Sequence, residues 1–537
     1  MTFKEDGLHL DSILVELGSF GRYQIFNYCF ILVPIMFSAV YNGQYIFAAG
    51  SLDFRCRVPE CEGSYGGSLQ PGYWGVWALP ERGGRCDRLR PVADSCAVDS
   101  FKQNETIACN SWVYESNDTI VGEFDLACQE WKRTLVGTIH SVGLFAALPF
   151  ASYISDTYGR RTAVVLTAAS AGLMGLIRSF SPNYIMYLVF EFLDATLGSG
   201  VYSAAFILAL EMVGLNRRVL GGNIISCSFA IGQVILALVA WGIPNWRTLT
   251  RVLYAPSLLF IFYFFILEES VRWLLSKDKK KEAARIIFKA ADINKKKLSP
   301  EAVRQLTEEP QENKNKETHK AVTVDQNEKL PSLMKQILKS RIIMSRLCIC
   351  SFWWITVTFI YYGLSINSVS LAGNSYLNYI LTSLVEIPGY CLSVLTLDRF
   401  GRKSSIMSAF FVCGASLLSL PFVPSHLTWL QTSLTMLGKL CISMSFSSIY
   451  IYTSELFPTA ARHRLLGACS MCGRVGSIVA PQTPLLGSYM PSLPYLLFGT
   501  MAGTSGLLML LTPETLRARL PDTVHQAETI SRQPEQP

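Results

Sequence analysis

Charged side chains stand inside long apolar runs of this 537-residue chain, among them Glu191, Asp194, Glu386, Lys439 and Arg474. An ionised group in an apolar span is costly, so each is either paired or used. Arg474 sits in Gly473-Arg474-Val475-Gly476, where a guanidinium could grip a carboxylate through two parallel hydrogen bonds. Glu191 and Asp194 are three residues apart and share a helical face, where they could hold a cationic group or a proton, or answer Arg178 nearby. Glu386 and Lys439 could face a ligand or pair with each other. Aromatic residues recur in the same runs: Tyr202 and Phe206 one turn apart, then Trp354, Tyr361 and Tyr362, then Phe446 and Tyr450. Such rings take up quaternary ammonium through cation–π contact and flat apolar bodies by stacking, or they pack among helices. Gln233 could add a hydrogen bond. This is chemistry of non-covalent recognition. The six histidines show no metal-spaced pair, and His140 is a lone polar residue expected to pack or bond locally. Cys348, Cys350, Cys469 and Cys472 lie in apolar runs and read as packing thiols. No phosphate-binding Gly-x4-Gly-Lys-Ser/Thr loop occurs. No catalytic residue, metal or cofactor is therefore expected.

The elements that must carry these residues are membrane spans. Half of the residues are hydrophobic, 16% are charged, and the mean hydropathy is +0.30. A bilayer core asks for about 20 apolar residues per helix. Twelve runs satisfy this, near 25–48, 134–153, 163–180, 184–213, 220–242, 249–267, 343–363, 376–397, 405–423, 428–453, 464–487 and 492–512. Met1 to Arg22 is mixed and acidic and does not read as a cleavable signal. The net charge of +7 is carried largely by one loop and is no nucleic-acid signal.

Two long polar segments break the pattern. Residues 49–133 hold six cysteines (Cys56, Cys61, Cys86, Cys96, Cys109 and Cys128) and two glycosylation sequons, at Asn104 and Asn117. An even cysteine set beside sequons indicates an oxidised extracellular loop whose disulfide pairing stays open. Residues 268–342 carry Lys279-Lys280-Lys281 and Lys295-Lys296-Lys297, which the positive-inside rule keeps in the cytosol. Five spans separate the two segments, so the assignments agree and both termini, 1–24 and 513–537, face the cytosol. Lys277 to Ala291 reads as an amphipathic helix, and 307–330 as a polar stretch without regular structure.

The chain also repeats itself. Asp156-Thr157-Tyr158-Gly159-Arg160-Arg161 returns as Asp398-Arg399-Phe400-Gly401-Arg402-Lys403. Glu211 and Arg218 return as Glu455 and Arg462, and Glu269 to Arg272 as Glu514 to Arg517. The three offsets are 242, 244 and 245 residues, so six spans (25–267) repeat as six spans (343–512). Glycine in Asp-x-x-Gly-Arg permits a tight turn between helices. The charges are expected to pair on the cytoplasmic side and latch the two halves while the site faces outward. The fold class expected is an all-α membrane protein of twelve helices in two six-helix pseudo-repeats.

These motifs resemble those of the major facilitator superfamily. Along nearly its whole length the chain is similar to the organic cation, carnitine and organic anion transporters, solute carrier family 22. The resemblance rests on Glu123 to Cys128, Asn245-Trp246-Arg247, Arg272-Trp273-Leu274, Tyr362-Gly363-Leu364, Val385 to Pro388, Tyr452 to Thr459 and Leu520 to Val524. It implies rocking of two six-helix halves around a midplane substrate, as internal repeats also suggest. It also implies that Arg474 stands where cation transporters carry Asp and where anion and carnitine types carry Arg. Tyr202 and Phe206 match cavity aromatics of cation transporters. The chain differs at Glu268 and Val271, where the family has prolines, and at Glu191, where the family commonly has Arg.

The reading is a polyspecific transporter of small organic ions in the plasma membrane, with zwitterions or organic anions favoured. The alternative is an organic cation transporter, and the third reading a non-transporting receptor on the same fold. Intact motif pairs favour transport. The partners expected are the substrate, the lipid bilayer, and a coupling ion (Na⁺ or H⁺) or an exchanged organic ion. Nucleic acid is not among them, and oligomeric state is left open.

Overall fold

In a computed structural model of the chain, the described residues are 10–18, 20–62, 68–80, 85–214, 217–307, 335–424, 426–459, 461–516, 518, 521 and 523–530. The expected polar stretch beyond Thr307 and Arg517 of the repeated motif lie outside them.

Helices fall at all twelve expected places. Among the described residues nine are long and apolar enough to cross a membrane: Arg22–Ala48, Glu130–Tyr158, Tyr184–Glu211, Arg218–Gly242, Trp246–Ile266, Arg341–Ser370, Ser375–Phe400, Arg402–Phe422 and Thr428–Leu456. The other three are the third span, Arg160–Arg178, the eleventh, Arg462–Val479, and the twelfth, Leu493–Met509. The third and eleventh carry arginines inside the helix, and the twelfth is short. The eleventh continues through a 3-10 turn, Ala480–Gln482, into Thr483–Tyr489, because Pro481 and Pro484 interrupt the backbone ladder.

The all-α expectation omits four short strands among the described residues, all in the first long loop. Phe54–Cys56 pairs antiparallel with Trp112–Tyr114, and Asp87–Pro91 with Phe101–Ala108. Three disulfides tie this loop: Cys56–Cys109, Cys61–Cys96 and Cys86–Cys128. Its own small core is Val58, Ala78, Leu89 and Phe101. At the opposite end, the helix Leu10–Glu16 packs on Lys280–Asn294 through Ile13, Leu14, Leu17, Ile286 and Ile287. That loop helix begins and ends three residues later than expected. Asn294 clamps the chain entering the first span, accepting from Tyr23 N at 2.8 Å and donating to Leu17 O at 2.9 Å.

The two halves touch at the disulfide end. Phe47 stacks on Tyr376 at 5.5 Å, Trp241 lies parallel to the same ring at 6.1 Å, and Gln482 donates to Thr138 at 2.7 Å. Gly137 marks a close approach of the halves, since a Cβ there would come within 2.7 Å of Pro481 and of Tyr45.

Candidate functional site

Rings from both halves come within electrostatic reach of one another. Tyr202 of the fourth span is close enough to Tyr450 of the tenth and Tyr362 of the seventh for their hydroxyls to interact electrostatically. Arg474 of the eleventh span acts on Tyr362 and Tyr450 in the same way. Tyr202 is flanked by Phe206 at 5.9 Å and by the edge of Phe229 at 5.5 Å. Trp354 supports Tyr450 edge-on at 4.4 Å and donates its indole N–H to Thr453. Phe446 lies between Tyr361 (5.3 Å) and Tyr450 (6.0 Å).

Local packing sets where Arg474 points. Gly473 and Gly476 let the eleventh span lie directly on the seventh, where a Cβ on Gly476 would collide with the backbone of Ile355 and Phe359. Thr358 donates to Gly473 O at 2.5 Å and so pins the register. The side chain of Arg474 remains partly accessible, and among the described residues no carboxylate lies within ion-pair distance of it.

Another pair of buried charges is neutralised in place. Lys439 and Glu386, both 0% exposed, pair at 2.9 Å. Lys439 also donates to Tyr361 O (3.0 Å) and Ser365 Oγ (2.7 Å), and its ammonium lies 3.5 Å from the centre of the Tyr361 ring. Tyr361 and Tyr390 donate to Glu386 Oε2 at 2.7 and 3.2 Å. Gln233 reaches across the halves to Tyr361 Oη at 3.4 Å. Glu386 thus belongs to a helix-packing pair and does not stand open to a ligand.

Glu191 and Asp194, considered above as ligand contacts or as partners of Arg178, are likewise enclosed and take the second role. Both are 1% exposed and flank the fully buried Arg178. His140 bonds to Glu191 Oε1 at 2.8 Å, so its partner lies on another span instead of locally. A fully buried arginine demands such carboxylates, which is why the structure keeps them together.

The repeated motifs form two matching clusters at the end away from the disulfides. Arg160 pairs with Asp156 (2.9 Å) and Glu211 (3.4 Å), and Arg402 pairs with Asp398 (3.0 Å) and Glu455 (3.5 Å). Gly159 and Gly401 have φ of +105° and +95°. Each turn exposes the first N–H groups of the next helix to a carboxylate from a distant span. Glu269 accepts from Arg160 N at 2.9 Å, and Glu514 from Arg402 N at 2.9 Å. Burial pushes the Glu269 carboxyl above its usual range, and the backbone N–H bonds oppose the shift. Ser270 caps Glu211 as Thr515 caps Glu455. Arg462 reaches Thr459 Oγ1 at 3.2 Å, and Arg218 and Arg272 stand at the same end. Each of these pairs stays within its own half. Among the described residues these pairs staple the ends of the second, third, fourth and sixth spans to each other, and those of the eighth, ninth, tenth and twelfth likewise.

The signal for Tyr254, Tyr390 and Phe229 in the sequence is only that they are aromatic inside spans. Their partners are supplied by helix order, which periodicity does not contain.

Twelve spans in two matching halves, closed at one end over a shared aromatic centre, define a secondary membrane transporter. The profile described as "Major Facilitator Superfamily" matches residues 130–481 and 362–532. The chain is 34% identical to an organic cation transporter protein of Drosophila melanogaster, covering 98% of this chain and 95% of that one. It is 31% identical to solute carrier family 22 member 3 of Rattus norvegicus (97% and 96%) and 32% identical to organic anion transporter 3 of Oryctolagus cuniculus (98% and 94%). Among solved structures it resembles the inward open conformation of the xylose transporter XylE from E. coli, with TM-score 0.57 at 14% identity over 94% of this chain and 99% of that one. The chain belongs to the Major Facilitator Superfamily and, within it, to solute carrier family 22. It is a multi-pass membrane transporter, not an enzyme.

Proposed function

We propose that this transporter moves small organic ions bearing a carboxylate, either organic anions or zwitterions, across the plasma membrane. The observation that carries the reading is Arg474. Lys439 is paired with Glu386, and Arg178 lies against Glu191 and Asp194, whereas among the described residues no carboxylate pairs with Arg474, a partly accessible guanidinium that acts on Tyr362 and Tyr450. A net positive centre with π faces attracts a carboxylate carried on a flat or cationic body. Phe206, Phe446, Trp354, Tyr361 and Gln233 shape that centre from behind.

Alternating access supplies the transport cycle. In it the disulfide end is extracellular, with Asn104 and Asn117 as glycan sites, and the motif end is cytosolic. When the disulfide end opens, the clusters around Arg160 and Arg402 approach each other and Asp156, Asp398 and their arginines re-pair across the halves. The names of several relatives favour a second reading, an organic cation transporter, and the ring cluster suits it too.

The deciding experiment is uptake of a labelled aromatic carboxylate, carnitine and a tetraalkylammonium, in wild type and Arg474→Asp, normalised to surface expression. A lost bidentate contact of about 1.5–3 kcal/mol corresponds to roughly 10-fold to 150-fold weaker carboxylate uptake, with the ammonium spared. Equal loss of all three would make Arg474 structural. Wild-type preference for the ammonium would favour the second reading.

A further inference from the structure

The Arg178 cluster does not balance electrically. Gln44 of the first span, His140 of the second, Arg178 of the third, Glu191 and Asp194 of the fourth, and Thr250 and Tyr254 of the sixth all meet there. Arg178 pairs with Glu191 and lies 3.1 Å from Asp194 Oδ2, which also accepts from Tyr254 Oη at 2.7 Å. Both oxygens of Glu191 are engaged, one by Arg178 and one by His140. One arginine faces two carboxylates, so the group is neutral only if it carries one more proton. Two buried atoms have no hydrogen-bond partner and can take it: Asp194 Oδ1 and His140 Nε2.

The remaining titratable groups around it do not supply that charge. Tyr41 and Tyr45 on the first span, Tyr187 on the fourth and Tyr254 on the sixth are phenols, neutral at ordinary pH. Arg247, paired with Glu123, and Arg251 bind Ser179 and Ser181 just beyond Arg178. From the other half, the eleventh span meets the second through Ile478, Pro481 and Gln482, which carry no charge.

The cluster is also joined to the closure of the halves. His140 lies three residues from Gly137, and its ring is 5.1 Å from Tyr45, which packs at the same closure point.

We propose that His140, Arg178, Glu191 and Asp194 form a binding site for one exchangeable proton, taken up from the extracellular side, which the halves require in order to close at the disulfide end. The proposal rests on the transport reading but not on the charge of the substrate. With the end open, water can solvate the deprotonated, net-negative cluster. Closing withdraws that water, and a net charge in a low-dielectric interior is disfavoured. The proton passes from hydronium to Asp194 Oδ1 or His140 Nε2 and returns to the same side on reopening. Asp194→Asn, which leaves Arg178 matched by Glu191 alone, would remove the requirement.

The test is surface-normalised uptake by the full chain, using whichever of the three probe ions wild type moves. Each keeps its charge between about pH 6 and about pH 8.5. Wild-type uptake is expected to fall as external pH rises, approaching about 10-fold per pH unit above the cluster's titration point. It should not respond to cytosolic pH at fixed external pH. Asp194→Asn should be flat across the range, and His140→Gln should keep the slope, since Asp194 can still take the proton. Wild-type uptake that is flat in external pH, or that follows cytosolic pH, would overturn the proposal even if no variant reaches the surface. So would an Asp194→Asn protein retaining the wild-type slope. Failure of the Arg474 comparison would leave these outcomes intact.

Discussion

Replacing Lys439 by methionine removes one charge of a pair that is 0% exposed on both sides. Coulomb's law with an effective dielectric of about 20 places roughly 6 kcal/mol on unit charges at 2.9 Å. The loss measured on breaking buried pairs is about 3–5 kcal/mol, because the survivor stays buried without its partner. Glu386 would keep only the hydroxyls of Tyr361 and Tyr390, while Tyr361 O and Ser365 Oγ would lose a donor. Lys439→Met should therefore lose about 3–5 kcal/mol, read as a fall in the unfolding midpoint of detergent-purified protein by fluorescence size-exclusion. The double variant Lys439→Met/Glu386→Gln removes both charges at similar volume and should return to within about 1–2 kcal/mol of wild type. Additive losses, with the double variant worse than either single, would show that the two side chains do not act as a pair. Uptake supplies an independent check: the double variant should keep wild-type selectivity among the three ions, since Glu386 is enclosed. A switch of selectivity would return Glu386 to the substrate site.

Two further predictions concern glycines. Gly401→Ala combines a φ of +95° with a Cβ 2.6 Å from Glu514 Oε2, and should cost about 1–3 kcal/mol and displace the carboxylate from Arg402 N, whereas Gly467→Ala, with nothing within 4 Å, should not destabilise; both are read by the same unfolding assay. Gly137→Val would prop Pro481 and Tyr45 apart and bias the protein toward the open disulfide end, so thiol-reagent labelling of a cysteine placed at Ile478 should rise several-fold; unchanged labelling would mean the halves separate elsewhere.

What could be read in advance follows from chemistry that is local or periodic. A bilayer demands about 20 apolar residues per helix, so the span positions were visible in the chain itself. The repeats exposed the two-half architecture because Asp-x-x-Gly-Arg needs a glycine at positive φ wherever that turn occurs, and Gly159 and Gly401 both adopt it. Cysteines and sequons marked the oxidised loop without saying which cysteines pair.

The tertiary structure decided which charges cancel. Glu191 and Arg474 look alike as intramembrane charges, yet one is held by Arg178 and His140 and the other has no carboxylate beside it among the described residues. That difference depends on which spans are neighbours and how each is rotated. It is set by close packing at positions such as Gly476 against Ile355 and Gly198 against Ala171, contacts between residues more than twenty apart in the chain. Hydropathy sets what enters the membrane, and packing sets which polar groups meet once inside.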